Sequence, residues 1–349
     1  MIPVLCLLLY AAAVAVFGPV VLARLTAAGI APRLGVAAWL SAITGVSVAA
    51  TAAVAIALVD VLGRGGDAAR WIVDCVGALS TSVGEHSGAD MRLLSGIVLS
   101  GGAAVGVVRA WRICRGVQRR RARTHEHAHL ARMVGRRIPD LDAVVIDSEE
   151  RVAYCIAGRE RSVVITRGAL AVLDPRQLAA VLAHERAHLG GRHSLVLDVV
   201  HSVAAALPGV SLFRVGATEI GRLFEMCADD VSVRGQGRRA LLGGLLALGG
   251  HPAPEGILGG GGLTARAARL VSPPPPLVRL GVTVLLGAVI VTVLAGPLMC
   301  PCGAVDVHLD GLRRWAAPEV PGAGVAEGDP TRAATLSSSK PDIIPFNRL

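Results

Sequence analysis

Four long apolar stretches dominate the pattern of hydrophobic and polar positions along the chain. They cover residues 3–23, 36–62, 93–111 and 277–299. Each is of the length that crosses the hydrocarbon core of a bilayer as an α-helix. The first stretch lacks a basic start and a convincing cleavage site, and Arg24 follows it directly. We therefore interpret it as a retained membrane span rather than a signal peptide.

The segment between the third and fourth spans has a different pattern. Short β-branched runs divided by polar turns predict a small sheet over residues 143–146, 152–156 and 162–166. Asp174 and Pro175 then fit the N-cap and the first turn of a helix, and residues 238–248 predict another helix. An exposed strand binds an extended peptide through backbone hydrogen bonds, and residues 152–158 are our choice for that strand.

Composition agrees with a membrane protein. Hydrophobic residues make up 53% of the 349 residues and charged residues only 17%, whereas a soluble domain carries about a quarter. We therefore predict a multi-pass α-helical membrane protein whose mainly α (α+β) domain, residues 113–276, carries a small β-sheet. Residues 300–349 predict a short, disordered extracytoplasmic tail. The seven cysteines form no C-x-x-C pair, and whether Cys75 pairs with Cys300 or Cys302 stays open.

The distribution of arginine predicts the orientation in the membrane. Residues 112–279 contain 24 arginines against 15 acidic residues, and the first loop contains Arg24 and Arg33 without an acid. The positive-inside rule places both segments in the cytoplasm and both termini outside. Aromatic residues are only 3% of the chain, which argues against nucleic-acid binding by base stacking.

The densest basic run follows the third span and comprises Arg119, Arg120, Arg121 and Arg123. We interpret it as an anchor on anionic lipid headgroups. Three histidines come next in the chain: His125, His127 and His129. No carboxylate or cysteine partner lies at ligand spacing from them, so we interpret this segment as a solvated helix beside the membrane.

One stretch carries the candidate chemistry. Residues 178–193 have helical spacing of apolar positions, and they contain His184-Glu185-Arg186-Ala187-His188, an H-E-x-x-H pattern. The two histidines lie one helical turn apart, so both imidazoles can bind the same metal ion. The Glu185 carboxylate is then placed to act as general base for a metal-activated water.

A third ligand is available at Glu225, in the run Glu225-Met226-Cys227-Ala228-Asp229. Two histidines and a glutamate, with one position left for water, form a catalytic zinc set. We predict one Zn²⁺ per chain, bound by His184, His188 and Glu225. Asp229, one helical turn after Glu225, is expected to accept a hydrogen bond from the outer nitrogen of a ligand histidine.

Residues 194–213 form one more apolar stretch, interrupted by polar residues and by Pro208. A complete membrane crossing here would place His188 and Glu225 on opposite sides of the bilayer. We therefore predict a packed or interfacial helix rather than a fifth span.

Residues 154–248 resemble the integral-membrane gluzincin peptidases of the BlaR/MecR beta-lactam-sensor type, which are related to the Ste24/HtpX-like membrane metallopeptidases. The run AGRERSVVITRGALAVLDPRQLAAVLAHERAHLGGRH resembles their strand, turn and zinc helix, and EMCADD resembles their third-ligand helix. The four spans are similar in number and placement. The resemblance implies a gluzincin zinc-peptidase domain in which His184, His188 and Glu225 bind zinc, with Glu185 as the base and Asp229 as a supporting carboxylate.

The resemblance also draws attention to His193 and Arg192, just beyond the zinc helix, as candidates for stabilising the transition state. In the antibiotic-sensing members a large penicillin-binding domain follows the last span, whereas about fifty residues follow it here. The string Ser337-Ser338-Ser339-Lys340 fits S-x-x-K only by chance, without a surrounding fold. Direct beta-lactam sensing is therefore not predicted.

The leading hypothesis is a zinc metalloendopeptidase of the plasma membrane that cleaves a regulatory protein, such as a cytoplasmic transcriptional repressor. An HtpX-like quality-control protease for membrane proteins is the first alternative. A non-catalytic membrane signalling protein with structural zinc is the second, although such a site does not need the carboxylate of Glu185. The expected partners are a protein or peptide substrate and the lipid bilayer, without direct contact to nucleic acid.

Overall fold

The computed structural model describes residues 2–63, 88–157, 161–249 and 262–299. The first helices are α1 (Ile2–Thr26), α2 (Pro32–Gly63) and α3 (Gly88–Val134). The strands are β1 (Arg136–Ile138), β2 (Ala143–Ile146), β3 (Ala153–Ile156) and β4 (Ser162–Thr166). The later helices are α4 (Arg167–Val172), α5 (Pro175–Gly190), α6 (His193–Ala206), α7 (Ser211–Gln236), α8 (Arg238–Leu248), α9 (Leu263–Val271) and α10 (Pro276–Met299).

Three of the described helices are long and apolar enough to cross a membrane. The candidate spans are Pro3–Thr26 in α1, Pro32–Val59 in α2 and Pro276–Pro297 in α10. They coincide closely with three of the four predicted stretches, and they indicate membrane association. The Tyr10 hydroxyl of α1 donates a hydrogen bond to the Val293 carbonyl of α10 at 2.6 Å, so the first and last of these helices pack against each other.

The third predicted span, residues 93–111, lies inside α3. This helix does not end at Trp111, where the predicted span ends, but continues to Val134. The guanidinium of Arg115 lies 4.8 Å from the centre of the exposed Trp111 ring. Whether residues 93–111 cross a membrane stays a prediction, because the candidate spans among the described residues do not include α3.

The small sheet has the strand order β1-β2-β4-β3. β2 and β4 are parallel, and both other pairs are antiparallel. β2 and β4 have the predicted bounds, and β3 begins one residue later than predicted. β1 was not predicted, because two of its three residues are exposed arginines that give no apolar signal. The position of β3 at the sheet edge leaves one side of this strand free within the described part of the chain.

The predicted packed helix is α6, which ends at Ala206 and is followed by a short turn before α7. Leu197 and Val200 of α6 belong to the same buried cluster as Trp39 of α2 and Leu212 of α7. A second cluster joins the sheet to α5, through residues such as Ile165. The helices that carry the metal-site motifs therefore pack between the apolar helices on one side and the sheet on the other.

The turn between α1 and α2 contacts α7 directly. Arg222 of α7 donates hydrogen bonds to the carbonyl groups of Thr26 (2.7 Å) and Ala27 (3.1 Å). Gly29 in this turn has φ +58°, and a Cβ there would meet the sulfur of Met226. A larger residue at position 29 would therefore be strained both by its backbone conformation and by this contact. The turn holds the helix that carries Glu225 against α1 and α2.

Candidate metal centre

The helix that carries the H-E-x-x-H motif begins at a strong N-terminal cap. The Asp174 carboxylate accepts hydrogen bonds from the backbone N–H groups of Arg176 (2.9 Å) and Gln177 (2.8 Å), and Pro175 follows it. The Gln177 side chain accepts from the Asp174 N–H at 3.2 Å, which completes a capping box. The predicted cap is confirmed. The cap determines where α5 begins, and His184, Glu185 and His188 follow on the same helix.

His184, His188 and Glu225 meet at one point. Ligand atoms of the three residues lie within 4.8 Å of one another, and all three residues are buried. The Nε2 atoms of the two histidines are 3.2 Å apart, and each lies 3.5 Å from an oxygen of Glu225. Two facing imidazole nitrogens and a carboxylate are a recognised donor set for zinc.

A further observation indicates that these three side chains can bind a metal ion. Glu225 uses Oε2 to accept a hydrogen bond from Arg266, at 2.9 Å. Its other oxygen, Oε1, is buried and has no hydrogen-bond partner among the described residues. A buried carboxylate oxygen without a partner is unfavourable unless a cation or a donor reaches it. The three residues that the sequence nominated therefore suit Zn²⁺, with Glu225 Oε1 as the available oxygen.

Asp229 supports both the histidine and an arginine. Its Oδ1 lies 3.1 Å from Nδ1 of His184, the outer ring nitrogen, at hydrogen-bond distance although not aligned as a hydrogen bond. Nε of Arg266 donates to Asp229 Oδ2 at 2.9 Å, and Nη2 donates to Oδ1 at 2.6 Å. This two-pronged ion pair is fully enclosed, since Asp229 is 0% exposed and Arg266 7%.

Sequence reasoning missed Arg266. It lies on α9, 41 residues after Glu225, beyond a Gly- and Pro-rich segment that separates it from the recognised motifs. The sequence offers one weak signal for a buried arginine here, because Arg266 interrupts the apolar pattern of a short helix. Arg269, one turn later, donates hydrogen bonds to the Met226 carbonyl and to Asp230. α9 therefore attaches to the third-ligand helix through two arginines.

His193 lies on the outer side of the second histidine. Nδ1 of His193 and Nδ1 of His188 are 2.9 Å apart, so one ring donates a hydrogen bond to the other. The His193 ring also stacks on Phe224, with centroids 4.0 Å apart and planes inclined by 11°. These contacts fix the orientation of the His188 ring. The predicted role of His193 in stabilising a transition state is not tested by this arrangement.

Glu185 lines a cleft of about 570 Å³ between α3, α6 and β3. The backbone N–H of Cys155 on β3 is directed at its carboxylate. Burial raises the pKa of Glu185 to about 7, with His184 opposing this rise and Glu225 adding to it. A carboxyl group of this pKa takes up and releases a proton readily near neutral pH.

The histidines differ in their proton affinity. Burial alone would lower the pKa of His184, but the neighbouring carboxylates of Asp229 and Glu225 raise it to about 9. Burial lowers the pKa of His188 to about 3 and that of His193 to about 4. Burial would raise the pKa of Asp229, yet His184 and Arg266 hold it at about 2. The metal-free centre therefore keeps one proton on His184, where a metal ion would replace it.

Comparison with known proteins agrees with this geometry. Residues 118–242 match the model of peptidase family M48. The central part of the chain is therefore similar to an M48 peptidase domain. The M48 match indicates a metallopeptidase, and it covers β1 to β4, α5, α7 and the five residues of the H-E-x-x-H motif. It does not single out the BlaR/MecR type to which the sequence was compared. No solved structure matches the chain.

The other predicted features lie beside this domain or outside the described residues. His125, His127 and His129 are exposed on α3, and the described part of the chain places no carboxylate with them in a metal-binding group. Cys75, Cys300 and Cys302, the tail at residues 300–349 and most of the Gly-rich segment at residues 251–262 lie outside the described residues.

Proposed function

We propose that the chain is a membrane-embedded zinc metalloendopeptidase whose active site faces the cytoplasm. The observation that carries the proposal is the position of Glu185. Its carboxyl group is close enough to His184 and Glu225 for their charges to shift its pKa, and it lines a cleft that the edge strand β3 also borders. A structural zinc site has no need for a half-buried carboxylate that lines a cleft of this size.

His184, His188 and Glu225 would hold the zinc ion. Bound zinc supplies positive charge that polarises the scissile carbonyl group and makes a water molecule more acidic. Glu185 takes a proton from that water as its oxygen adds to the carbonyl carbon, and gives the proton to the amine nitrogen as the C–N bond breaks. The pKa of about 7 for Glu185 suits both transfers.

The residues around the ligands hold them in position. Asp229 contacts the outer nitrogen of His184, and His193 contacts the outer nitrogen of His188. Arg266 neutralises the carboxylates of Glu225 and Asp229, which would otherwise repel each other. We assign His193 to this positioning role, which its stacking on Phe224 favours over contact with substrate.

The biological substrate is a regulatory protein in our leading proposal, such as a cytoplasmic transcriptional repressor. The apolar helices and the excess of arginine in residues 112–279 support a plasma-membrane location with this domain inside. Cleavage of many misfolded membrane proteins is the alternative. Labelling of Cys114, which is exposed on α3, tests the orientation, whereas Cys227 is buried and would stay unlabelled in either orientation.

Replacement of Glu185 by Gln tests the peptidase proposal. The amide keeps the shape of the side chain but cannot take a proton, so we expect cleavage by the purified, zinc-loaded protein to fall about 10²–10⁴-fold. A peptide library scanned by mass spectrometry measures cleavage, and metal analysis verifies that the variant still binds zinc. Equal cleavage by wild type and variant would rule out Glu185 as the base and favour a structural metal site.

A further inference from the structure

Five arginines line the cleft that contains Glu185. Arg120 and Arg123 of α3 line the part next to Glu185. Arg121, Arg161 and Arg192 line an adjoining part of about 450 Å³. The two parts are continuous, because they share the lining residues Thr124, Ala157, Ser194 and Asp198. We call these five arginines the basic wall.

The basic wall has few acidic partners of its own. Among the described residues, no carboxylate lies within 4.0 Å of any of its five guanidinium groups. Among the described residues that line the cleft, the acid other than Glu185 is Asp198, whose pKa is lowered by the nearby charges of Arg120 and Arg121 against the rise caused by burial. Other arginines of the domain do have carboxylate partners: Arg137, Arg167, Arg222, Arg266 and Arg269.

The edge strand β3 also borders the cleft, through Tyr154, Cys155 and Ile156. The Thr166 N–H of β4 donates a hydrogen bond to the Val152 carbonyl just before β3. Tyr154, two residues after Val152, lies opposite Val164, so Val152 and Tyr154 direct their backbone groups towards β4. In an antiparallel pair the alternate residues direct their backbone groups away from the partner strand. Ala153 and Cys155 therefore direct their N–H and C=O groups away from β4, and the Cys155 N–H reaches towards Glu185. An extended peptide added here would pass Glu185, and alternate side chains of the peptide would lie on the sheet face that packs against α3.

Combining these observations, we infer that the basic wall selects peptide segments with aspartate or glutamate side chains close to the scissile bond. The cleavage itself rests on the proposed function, whereas the binding preference rests on the cleft. The wall lines the same cleft as Glu185 and the described strand edge beside it, so a substrate that pairs with β3 would lie along the wall. This assignment replaces lipid headgroups as the partner of Arg120, Arg121 and Arg123. Arg119, which does not line the cleft, stays available for the membrane surface.

The expected size of the preference for acidic peptides follows from the solvent exposure of the basic wall. A solvent-exposed ion pair favours binding by up to about fivefold, so three acidic side chains together favour it by about tenfold or more. This preference should weaken as salt is added, because ions screen exposed charges. A preference of this size changes the choice among substrates without being needed for the chemical step.

A binding measurement on the Glu185→Gln protein tests the inference without cleavage. The probes are two fluorescein-labelled decapeptides of the same sequence, one with three glutamates near the centre and one with glutamines in their place. Fluorescence anisotropy with the full chain, zinc-loaded in an uncharged detergent, should give about tenfold tighter binding of the glutamate peptide. Arg120→Glu and Arg123→Glu should each reduce that preference about threefold to fivefold. Arg119→Glu is the matched control on the same helix and should change it less than twofold.

The outcomes separate this inference from the proposed function. Equal affinity for the two peptides, absence of binding by both, or an equal effect of Arg119→Glu would overturn the acidic preference. If Arg120 is needed for binding to phosphatidylserine vesicles and the two peptides bind equally, the basic wall binds lipid headgroups and not acidic peptides. Glu185-dependent cleavage without charge preference would leave the peptidase proposal intact and refute the inference. Preferential binding of the glutamate peptide, without cleavage of any peptide by the wild type, would support the acidic preference and refute the peptidase proposal.

Discussion

Arginine has two contrasting environments within one domain. Arg266 is 7% exposed and forms hydrogen-bonded ion pairs with Glu225 and Asp229. Arg120 and Arg121 are exposed along a cleft, and within the described residues no carboxylate lies within ion-pair distance of them. A charge can be buried only where opposite charge and hydrogen bonds compensate the loss of water, whereas an exposed charge needs no partner. The first environment therefore belongs to the internal architecture of the site, and the second is available to a ligand.

The largest effect is expected from Arg266→Ala. Removal of this guanidinium leaves Glu225 and Asp229 buried beside each other with less compensation, which destabilises a fold by about 3–5 kcal/mol. We expect the thermal midpoint of the metal-free protein in detergent to fall by about 10 °C. The loss should be smaller with zinc bound, because the metal supplies positive charge at the same carboxylates.

Arg269→Ala is the matched control for Arg266→Ala. It removes another arginine of α9, which pairs with the more exposed Asp230 rather than with the metal-site carboxylates. Its effect should depend little on zinc. A zinc-independent loss of equal size in both variants would show that α9 is held by general packing and not by charge compensation at the site.

Asp229→Asn removes the charge that Arg266 and His184 share. The shape of the side chain is kept, but the outer nitrogen of His184 loses its anionic neighbour. Partners of this kind typically account for 10–100-fold in metal affinity, so we expect zinc affinity to fall by about that factor. Competition with a fluorescent zinc chelator measures it. Unchanged affinity would mean that Asp229 serves Arg266 alone and does not orient the ligand histidine.

Local sequence signals predicted much of the fold and of the site. The β-branched runs gave β2 and β4 with their bounds, Asp174 and Pro175 gave the start of α5, and the motif spacing gave the three residues that converge. Each of these depends on residues close in sequence or on a known donor set. They are the features that backbone propensity and helical periodicity determine.

What the sequence did not give depends on distant packing. Arg266 reaches the site only because α9 packs beside α7, and no local pattern encodes that contact. The position of Arg120 at the cleft is a similar case, since a basic run after an apolar stretch has the same appearance whether it faces lipid or a cleft. Likewise, the ring of His193 is next to His188 because of the turn at Arg192, whose φ is +52°.

The number of protons released on zinc binding tests whether His184 is protonated in the metal-free site. His184, with its pKa raised to about 9, is protonated at pH 7.5, whereas a metal ligand must be neutral. His188 and His193, with pKa values near 3 and 4, are already neutral and release nothing. Zinc binding should therefore release about one proton from His184, with a further fraction from Glu185. Calorimetry in buffers of different ionisation enthalpy counts these protons, and a count near zero would contradict the charged state of His184.

The smallest effect is expected for Arg121→Gln, at the opposite extreme from Arg266→Ala. Because Arg121 is exposed and has no described carboxylate within ion-pair distance, no buried charge is left behind when its guanidinium is removed. Surface substitutions of this kind change stability little, so the thermal midpoint should shift by less than about 2 °C with or without zinc. A destabilisation comparable to that of Arg266→Ala would show that Arg121 has a structural partner within the protein. The basic wall would then be part of the fold itself, and its charge would be compensated before any ligand arrives.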